Sequence, residues 1–118
     1  MGSKRILLVD DSEILRMTTA AVLEDAGYQV VEAGSLAQAR ASLGSGELVA
    51  AVVDLHLADG LGSALLPDLR AVHPRAAFVL LSGTAEPMAD FAGDLYLLKG
   101  MAPEEMMARI AAAIAGRA

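Results

Sequence analysis

The sequence predicts an α/β fold in which five strands form an open, doubly wound parallel sheet. Three observations support this class. Short apolar runs alternate with amphipathic segments of helical period along the 118-residue chain, which is the pattern of repeated βα units. The run at residues 50–57 is apolar over consecutive positions, as expected for a strand that is covered on both faces. Four of the runs end on polar or charged side chains, which suits the edge of a parallel sheet where functional groups collect.

Composition limits the class of protein. The length suits a single core, and we expect one domain over residues 4–118, with residues 1–3 set aside as compatible with a cloning remnant. The sequence has no cysteine, so disulfides are excluded and a cytoplasmic location is expected. The apolar run after Lys4 and Arg5 is too short for a signal peptide or a membrane span. The net charge of −6 argues against direct binding of nucleic acid.

The first strand and helix follow from residues 4–27. An apolar run at residues 4–9 ends on Asp10 and Asp11, and Ser12 can cap a helix that Gly27 terminates. The apolar positions that largely fit one face of this helix are Ile14, Leu15, Met17, Ala21, Val22 and Leu23. We therefore expect this face to pack on the sheet.

The middle of the chain predicts two more strands and two more helices. Residues 28–33 form a more polar strand that we place at an edge of the sheet, and residues 36–43 form the second helix. The central strand then delivers Asp54 to the sheet edge. Ser63 can cap a third helix over residues 64–72. Pro67 fits this helix only within its first turn, because further along it would remove a backbone donor.

The last two strands are close together in sequence. Residues 77–81 form a strand that ends at Ser82, and residues 95–98 form one that ends at Lys99. Only residues 85–94 separate the two, whereas a parallel crossover needs about a dozen residues. We therefore predict that the fourth helix is short or absent. A final helix over residues 103–115 has acidic residues in its first turn, as the helix dipole favours.

Four predicted strands thus end on groups suited to phosphoryl chemistry: Asp10 with Asp11, Asp54, Ser82 and Lys99. Two carboxylates 4 Å apart repel by about 4 kcal/mol at an effective dielectric near 20, so the acidic cluster calls for a cation. Oxygen ligands with open positions suit Mg²⁺. A lysine and a hydroxyl can hold phosphoryl oxygens, and a carboxylate can become an aspartyl phosphate. The set predicts a phosphoryl acceptor.

These motifs resemble the receiver domain of two-component response regulators, in particular the chemotaxis-regulator type, over essentially the whole chain. The matching segments are residues 7–11 (LLVDD), 53–57 (VDLHL), 59–62 (DGLG), 80–83 (LLSG) and 96–99 (YLLK). The resemblance implies a flavodoxin-like sheet with strand order 2-1-3-4-5. It also implies signalling in a two-component or phosphorelay system and no conventional enzyme activity beyond Mg²⁺-dependent self-phosphorylation and autodephosphorylation.

The resemblance also implies a role for each site residue. Asp54 would accept a phosphoryl group from phosphohistidine on a histidine kinase or a histidine phosphotransfer protein. Asp11 and Asp54 would bind Mg²⁺ directly, the main-chain carbonyl of His56 would add a ligand, and Asp10 would act through water. Ser82 and Lys99 would hold the phosphoryl oxygens. Ser82 and the aromatic residue Tyr96 would form the switch, in which the ring turns inward as Ser82 moves toward the phosphate. An unidentified downstream protein would read the result, from a monomer or weak dimer that binds no membrane.

Three departures from the family pattern leave an alternative open. Gly100 replaces the proline that usually follows the lysine and forms a cis peptide bond, and a cis bond before glycine costs about 3 kcal/mol, so the sequence leaves the isomer at this bond open. Ala58 replaces a frequent proline, and the crossover at residues 85–94 is short. A phosphorylation-independent interaction module of the same fold is the alternative function. A phosphohydrolase is a weaker rival, because the sequence offers no recognisable substrate-binding insertion. At Tyr96, ordinary sheet packing competes with the switch role.

Overall fold

A five-stranded parallel sheet forms the centre of the computed structural model, which describes residues 4–44, 46–83 and 91–117. The strands are β1 (Arg5–Val9), β2 (Gln29–Ala33), β3 (Ala50–Asp54), β4 (Ala77–Ser82) and β5 (Leu95–Leu98). They lie in the order β2-β1-β3-β4-β5, and every neighbouring pair is parallel. The predicted fold class, strand order and edge position of the second strand are confirmed.

Within the described residues, four helices cover the two faces of the sheet. They are α1 (Glu13–Asp25), α2 (Leu36–Ser42), α3 (Leu66–Val72) and α4 (Pro103–Arg117). Apolar side chains of α2 and α3 pack on one face, whereas those of α1 and α4 pack on the other. Successive residues of β3 and β4 therefore meet one helical layer or the other, and all of them are buried. This two-sided burial explains why the central runs are apolar without alternation.

Helix α1 begins and ends where the sequence predicts, but its apolar face differs. The Ser12 hydroxyl accepts a hydrogen bond from the Leu15 amide at 3.3 Å, and Gly27 follows the helix with φ of 98°. The expected core residues Ile14, Leu15 and Met17 are instead 77%, 49% and 58% exposed. The less exposed stripe passes through Arg16, Ala20 and Leu23, and the 100° turn per residue places Ile14 on the opposite side.

The segment after β3 differs from two predictions: that the strand runs through residues 50–57, and that Ser63 caps the third helix. The strand ends at Asp54, and His56–Leu57 then pairs antiparallel with Gly60–Leu61 in a short hairpin. Ser63 does not cap the third helix: it lies inside a 3₁₀ turn, Gly62–Leu65, and α3 begins only at Leu66 with no side-chain cap. Pro67 lies in the first turn of α3, where its missing N–H costs no helical hydrogen bond.

The short crossover before β5 is only partly described. The sequence predicts that the fourth helix, between β4 and β5, is short or absent. Residues 84–90 of this crossover lie outside the described residues, and residues 91–94 are not helical. The peptide bond between Lys99 and Gly100, whose isomer the sequence left open, is trans, and Gly100 has φ of 86°. Helix α4 continues to Arg117, two residues beyond the predicted end. None of the helices in the described ranges is long and apolar enough to cross a membrane.

Candidate functional site: an acidic cluster beside a lysine

Parallel pairing brings the ends of β1 and β3 to one edge of the sheet. Val9 is in register with Val53, so the two strands finish side by side and Asp10 follows next to Asp54. One carboxylate oxygen each from Asp10, Asp11 and Asp54 lies within 4.8 Å of the others. Asp10 and Asp54 are 3% and 4% exposed, whereas Asp11 is exposed. The cluster is therefore a buried floor with one carboxylate open to solvent.

The Asp54 carboxylate has a donor at each oxygen. Lys99 Nζ donates to Oδ2 at 2.8 Å, and the main-chain N–H of His56 donates to Oδ1 at 3.4 Å, a long contact. Lys99 reaches this place because its own amide continues the β4–β5 pairing with a 2.8 Å bond to the Ser82 carbonyl. The lysine head balances one of the three clustered negative charges.

Asp10 is buried, whereas Asp11 beside it is exposed. Burial raises the pKa of the Asp10 carboxyl above its ordinary value, and the charges of Asp54 and Asp11 add to the rise, although a bond from the Ser12 amide and the charge of Lys99 oppose it. The Ser12 amide donates to Asp10 Oδ1 at 2.9 Å. A protonated Asp10 would relieve part of the repulsion within the cluster.

Arg16 holds the backbone under this acidic pair. Its guanidinium donates to the Asp10 carbonyl at 2.8 Å and pairs with Glu32 at 3.1 Å. The helix α1 is thereby tied to the end of β1 and to β2 through one side chain. Because Arg16 binds the main-chain oxygen, the carboxylate of Asp10 stays available to the cluster.

The carboxylate oxygens of this cluster are suitable ligands for a divalent cation. The cluster supplies hard carboxylate oxygens, which Mg²⁺ and Ca²⁺ prefer, and it has more negative charge than Lys99 alone can neutralise. Exposed Asp11 leaves a side from which an ion with its water shell can enter. Asp10, Asp11 and Asp54 could therefore hold such an ion.

The other predicted site residues surround this centre at different depths. Ser82 ends β4 and is 1% exposed. Its main-chain carbonyl accepts the hydrogen bond from the Lys99 amide. His56 is exposed, and its amide faces Asp54. Tyr96 is half-buried, and its ring packs edge-on against Phe91 with centroids 5.8 Å apart. The structure thus places four predicted residues together, Asp10, Asp11, Asp54 and Lys99, with Ser82 and His56 alongside and Tyr96 farther along β5.

Sequence reasoning missed the contribution of Gly62. A Cβ at this position would collide with the Asp54 carbonyl oxygen and lie 2.7 Å from Val53 Cγ1. The Gly62 amide also donates to the Leu55 carbonyl at 2.7 Å. The backbone therefore needs a residue without a side chain directly beneath Asp54. The glycine was visible in the sequence, but only its neighbour in space explains it.

Comparison with known proteins identifies this arrangement. The sequence model of the protein family 'response regulator receiver domain' matches residues 6–111 of this chain. The chain belongs to that family. This match confirms the family that the strand-end motifs predicted. Receiver domains are signalling modules and not conventional enzymes.

This chain is similar to segments of two curated proteins of different kinds. It is 39% identical over 88 residues to the sensor kinase CckA of Brucella abortus, covering 72% of this chain and 9% of that protein. It is 35% identical over 116 residues to the alginate biosynthesis transcriptional regulatory protein AlgB of Pseudomonas aeruginosa, covering 92% and 25%. The chain therefore spans a quarter or less of the length of these relatives.

Solved structures agree with the fold. A CheY-like response regulator receiver domain protein from Methanospirillum hungatei superposes with a TM-score of 0.88 at 25% identity, covering 98% of this chain and 97% of that one. A response regulator from Burkholderia pseudomallei gives 0.84 at 28% identity, covering 97% and 70%. The latter structure contains a phosphorylated aspartic acid, a calcium ion and citrate.

Proposed function

We propose that this receiver domain accepts a phosphoryl group from phosphohistidine onto Asp54, with Mg²⁺ bound, and thereby changes its binding to another protein. One observation carries the proposal: Lys99 Nζ lies 2.8 Å from Asp54 Oδ2, beside the Asp10 and Asp11 carboxylates. The structure of the similar response regulator from Burkholderia pseudomallei contains a phosphorylated aspartic acid and a calcium ion, which supports phosphorylation of an aspartate in this chain.

The transfer requires one nucleophile and groups that stabilise charge. An Asp54 carboxylate oxygen attacks phosphorus, the bond from phosphorus to the histidine nitrogen breaks, and the imidazole leaves with the electron pair. Lys99, already at Asp54, would exchange its carboxylate contact for an oxygen of the incoming phosphoryl group. The Ser82 hydroxyl would donate to another. Positioning and charge stabilisation are most of what phosphoryl transfer asks of a protein.

The cation site uses the acidic cluster. Asp11 and Asp54 would bind Mg²⁺ directly, Asp10 would bind it through water, and the His56 main-chain carbonyl would complete the protein ligands. When bound, the ion neutralises charge on the phosphoryl oxygens and aligns them with Asp54. Loss of the phosphoryl group to water would reset the domain, and the exposed ring of His56, two residues after Asp54, would shield or orient the attacking water.

The signal would pass through Ser82 and Tyr96. Movement of Ser82 toward the phosphoryl group would open space into which the Tyr96 ring turns. In this chain the ring must first leave its edge contact with Phe91, so the switch is linked to the crossover residue that covers the sheet.

An apolar surface beside the site supports a protein as phosphoryl donor, a histidine kinase or a histidine phosphotransfer protein. Ile14 and Met17 on α1 are exposed, and Leu98 is 41% exposed. A cavity of about 210 Å³ extends from Asp10 and Lys99 between α1 and the start of α4; its apolar walls include Leu15, Leu81, Leu98, Met101 and Met106. Burying such a surface favours association.

The remaining features follow the same proposal. We assign residues 4–118 to one cytoplasmic domain that acts as a monomer or weak dimer and does not itself bind nucleic acid. The relatives include a sensor kinase and transcriptional regulators, so the downstream protein or attached domain is left unassigned.

Intact-mass spectrometry with Mg²⁺ and acetyl phosphate tests the proposal. We expect the parent protein to gain one phosphoryl group and the Asp54→Asn variant to gain none. Asp68→Asn is the matched control, because Asp68 is a surface carboxylate paired with Arg40 at 3.0 Å, and it should be phosphorylated like the parent.

If the parent gains nothing, a beryllofluoride titration distinguishes rapid hydrolysis from a site that does not bind a phosphoryl group. Beryllofluoride binding that requires Asp54 would keep the proposal. Failure to bind, in a folded protein that binds Mg²⁺, would replace it with the phosphorylation-independent interaction module.

A further inference from the structure

Asp59 connects the loop after the phosphoacceptor strand to a different helix. Its carboxylate accepts hydrogen bonds from the main-chain amides of Leu36 at 3.0 Å and Ala37 at 3.1 Å. These residues open α2 and precede Asp59 by 23 and 22 positions. The contact therefore joins two segments that lie far apart in sequence.

The first turn of α2 uses two caps. The Ser35 hydroxyl accepts from the Gln38 amide at 3.1 Å, while Asp59 takes the first two amides, so the donors that a helix leaves unpaired at its start are satisfied from both sides. These backbone hydrogen bonds hold the pKa of the Asp59 carboxyl below its ordinary value. Asp59 thus binds α2 as a carboxylate.

The same turn rests on α2 through its backbone. Gly60 has φ of 145°, a conformation that favours glycine. A Cβ at Gly60 would lie 3.0 Å from Leu36 Cδ1, which shows how closely the hairpin turn approaches the first residue of α2. The carboxylate and the glycine together fasten the turn.

The other end of this hairpin is attached to the phosphoacceptor. Leu55 and His56 follow Asp54 directly, and the His56 amide donates to Asp54 Oδ1. The Gly62 amide closes the base of the hairpin on the Leu55 carbonyl at 2.7 Å. A displacement of the turn at Asp59 would therefore move the His56 backbone relative to Asp54.

We propose that Asp59 is a positioning residue for the cation side of the site: by anchoring the hairpin to α2 it holds the His56 backbone in place beside Asp54. Cation affinity then depends on a contact with α2. The inference deepens the proposed function and rests on it for the phosphoryl step. Its cation-binding part can be measured without any phosphorylation.

The matched pair Asp59→Ala and Ser35→Ala tests the inference. Both variants remove a side-chain acceptor for backbone amides at the same end of α2 and should lower stability to a similar extent, but only Asp59→Ala releases the hairpin. By isothermal titration with Mg²⁺ alone, we expect the Kd of Asp59→Ala to rise about tenfold, the low end for loss of an outer-shell partner. Ser35→Ala should keep the parent Kd.

Two further readouts separate positioning from simple destabilisation. In metal-free protein, hydrogen exchange of the His56 amide should accelerate in Asp59→Ala and not in Ser35→Ala. With acetyl phosphate, Asp59→Ala should be slow at low Mg²⁺ and regain the parent rate at saturating Mg²⁺, while Asp59→Asn, which keeps an acceptor oxygen, should fall between.

An unchanged Mg²⁺ Kd in Asp59→Ala, or an equal change in both alanine variants, would overturn the inference. If the parent binds Mg²⁺ but neither gains a phosphoryl group nor binds beryllofluoride, the proposed function fails instead, and the comparison of Mg²⁺ affinities still decides the role of Asp59.

Discussion

Two adjacent carboxylates at the end of β1 have different surroundings. Asp10 is buried, accepts from the Ser12 amide and has a raised pKa, whereas Asp11 is exposed. The pair could be predicted from the sequence as part of one acidic site, because both residues follow an apolar strand. Which of the two carries the burial penalty depends on neighbours from β3 and from the loop after β5.

We predict that Asp10→Asn stabilises the metal-free protein at neutral pH. Because the folded pKa of Asp10 lies above its ordinary 3.8, its contribution to stability is present below that pH and is lost as pH rises through the folded pKa. Asparagine removes the buried charge and keeps an acceptor for Ser12. Thermal unfolding in EDTA at pH 7 should show a higher Tm.

The gain should shrink as the pH falls through the raised pKa of Asp10, because the parent carboxyl then becomes protonated, and the variant should bind Mg²⁺ more weakly at neutral pH. A lower Tm for Asp10→Asn in EDTA at pH 7 would contradict the assigned burial penalty.

At the scale of elements, Phe91 belongs to the crossover yet packs on the sheet. Its ring lies 6.5 Å from Phe78 and 5.8 Å from Tyr96, between centroids. Gly93 makes room, since a Cβ there would lie 2.8 Å from Phe78 Cδ2 and 2.6 Å from Phe91 Cε1. One aromatic side chain therefore covers sheet surface beside β4 and β5.

We predict that Phe91→Ala lowers the free energy of unfolding by about 2 to 3 kcal/mol, below the usual range for a fully buried phenylalanine because Phe91 is half-buried. Loss of the edge contact should also shift the Tyr96 ring resonances in NMR spectra. Phe91→Leu retains most of the apolar contact and should recover much of the stability. Because leucine has no aromatic ring, the Tyr96 resonances should stay shifted from their positions in the parent. Equal stability of the alanine variant and the parent would show that this packing is dispensable.

Helix starts illustrate how local the sequence signal is. Ser12 caps α1 as predicted, because an N-cap bonds within its own turn. Ser63 does not cap α3, since Gly62 must lie directly under Asp54 and the chain continues through a 3₁₀ turn. The start of α3 is thus set by packing against β3.

Across the whole molecule, an ion-paired cluster lies at the end of the sheet away from the site. Asp94 accepts from the Phe78 amide at 2.8 Å and from Arg70 of α3 at 3.0 Å. Arg117 of α4 lies 3.8 Å from the same carboxylate. One side chain before β5 therefore links β4 with helices from both layers.

We predict that Asp94→Ala lowers the free energy of unfolding by about 2 kcal/mol, as expected for loss of hydrogen bonds to a partly buried charge. Phosphorylation by acetyl phosphate at a temperature where the variant is folded should stay at the parent rate. In chemical denaturation, Asp68→Asn serves as the comparison: it breaks an exposed pair with Arg40 and should cost at most about 1 kcal/mol. A phosphorylation defect in folded Asp94→Ala would show that the two ends of the sheet are coupled.

The sheet and the set of side chains at the strand ends could be predicted from the residues alone, and the strand order from the family resemblance. Two-sided burial produces apolar runs, and a parallel sheet gathers the residues that follow those runs. Three other features became visible in the folded chain: Asp59 caps α2, Gly62 must lack a side chain, and Ile14 faces solvent. Each of these depends on which segments lie next to each other in space, and local residue patterns carry no record of a neighbour that arrives from a distant part of the chain.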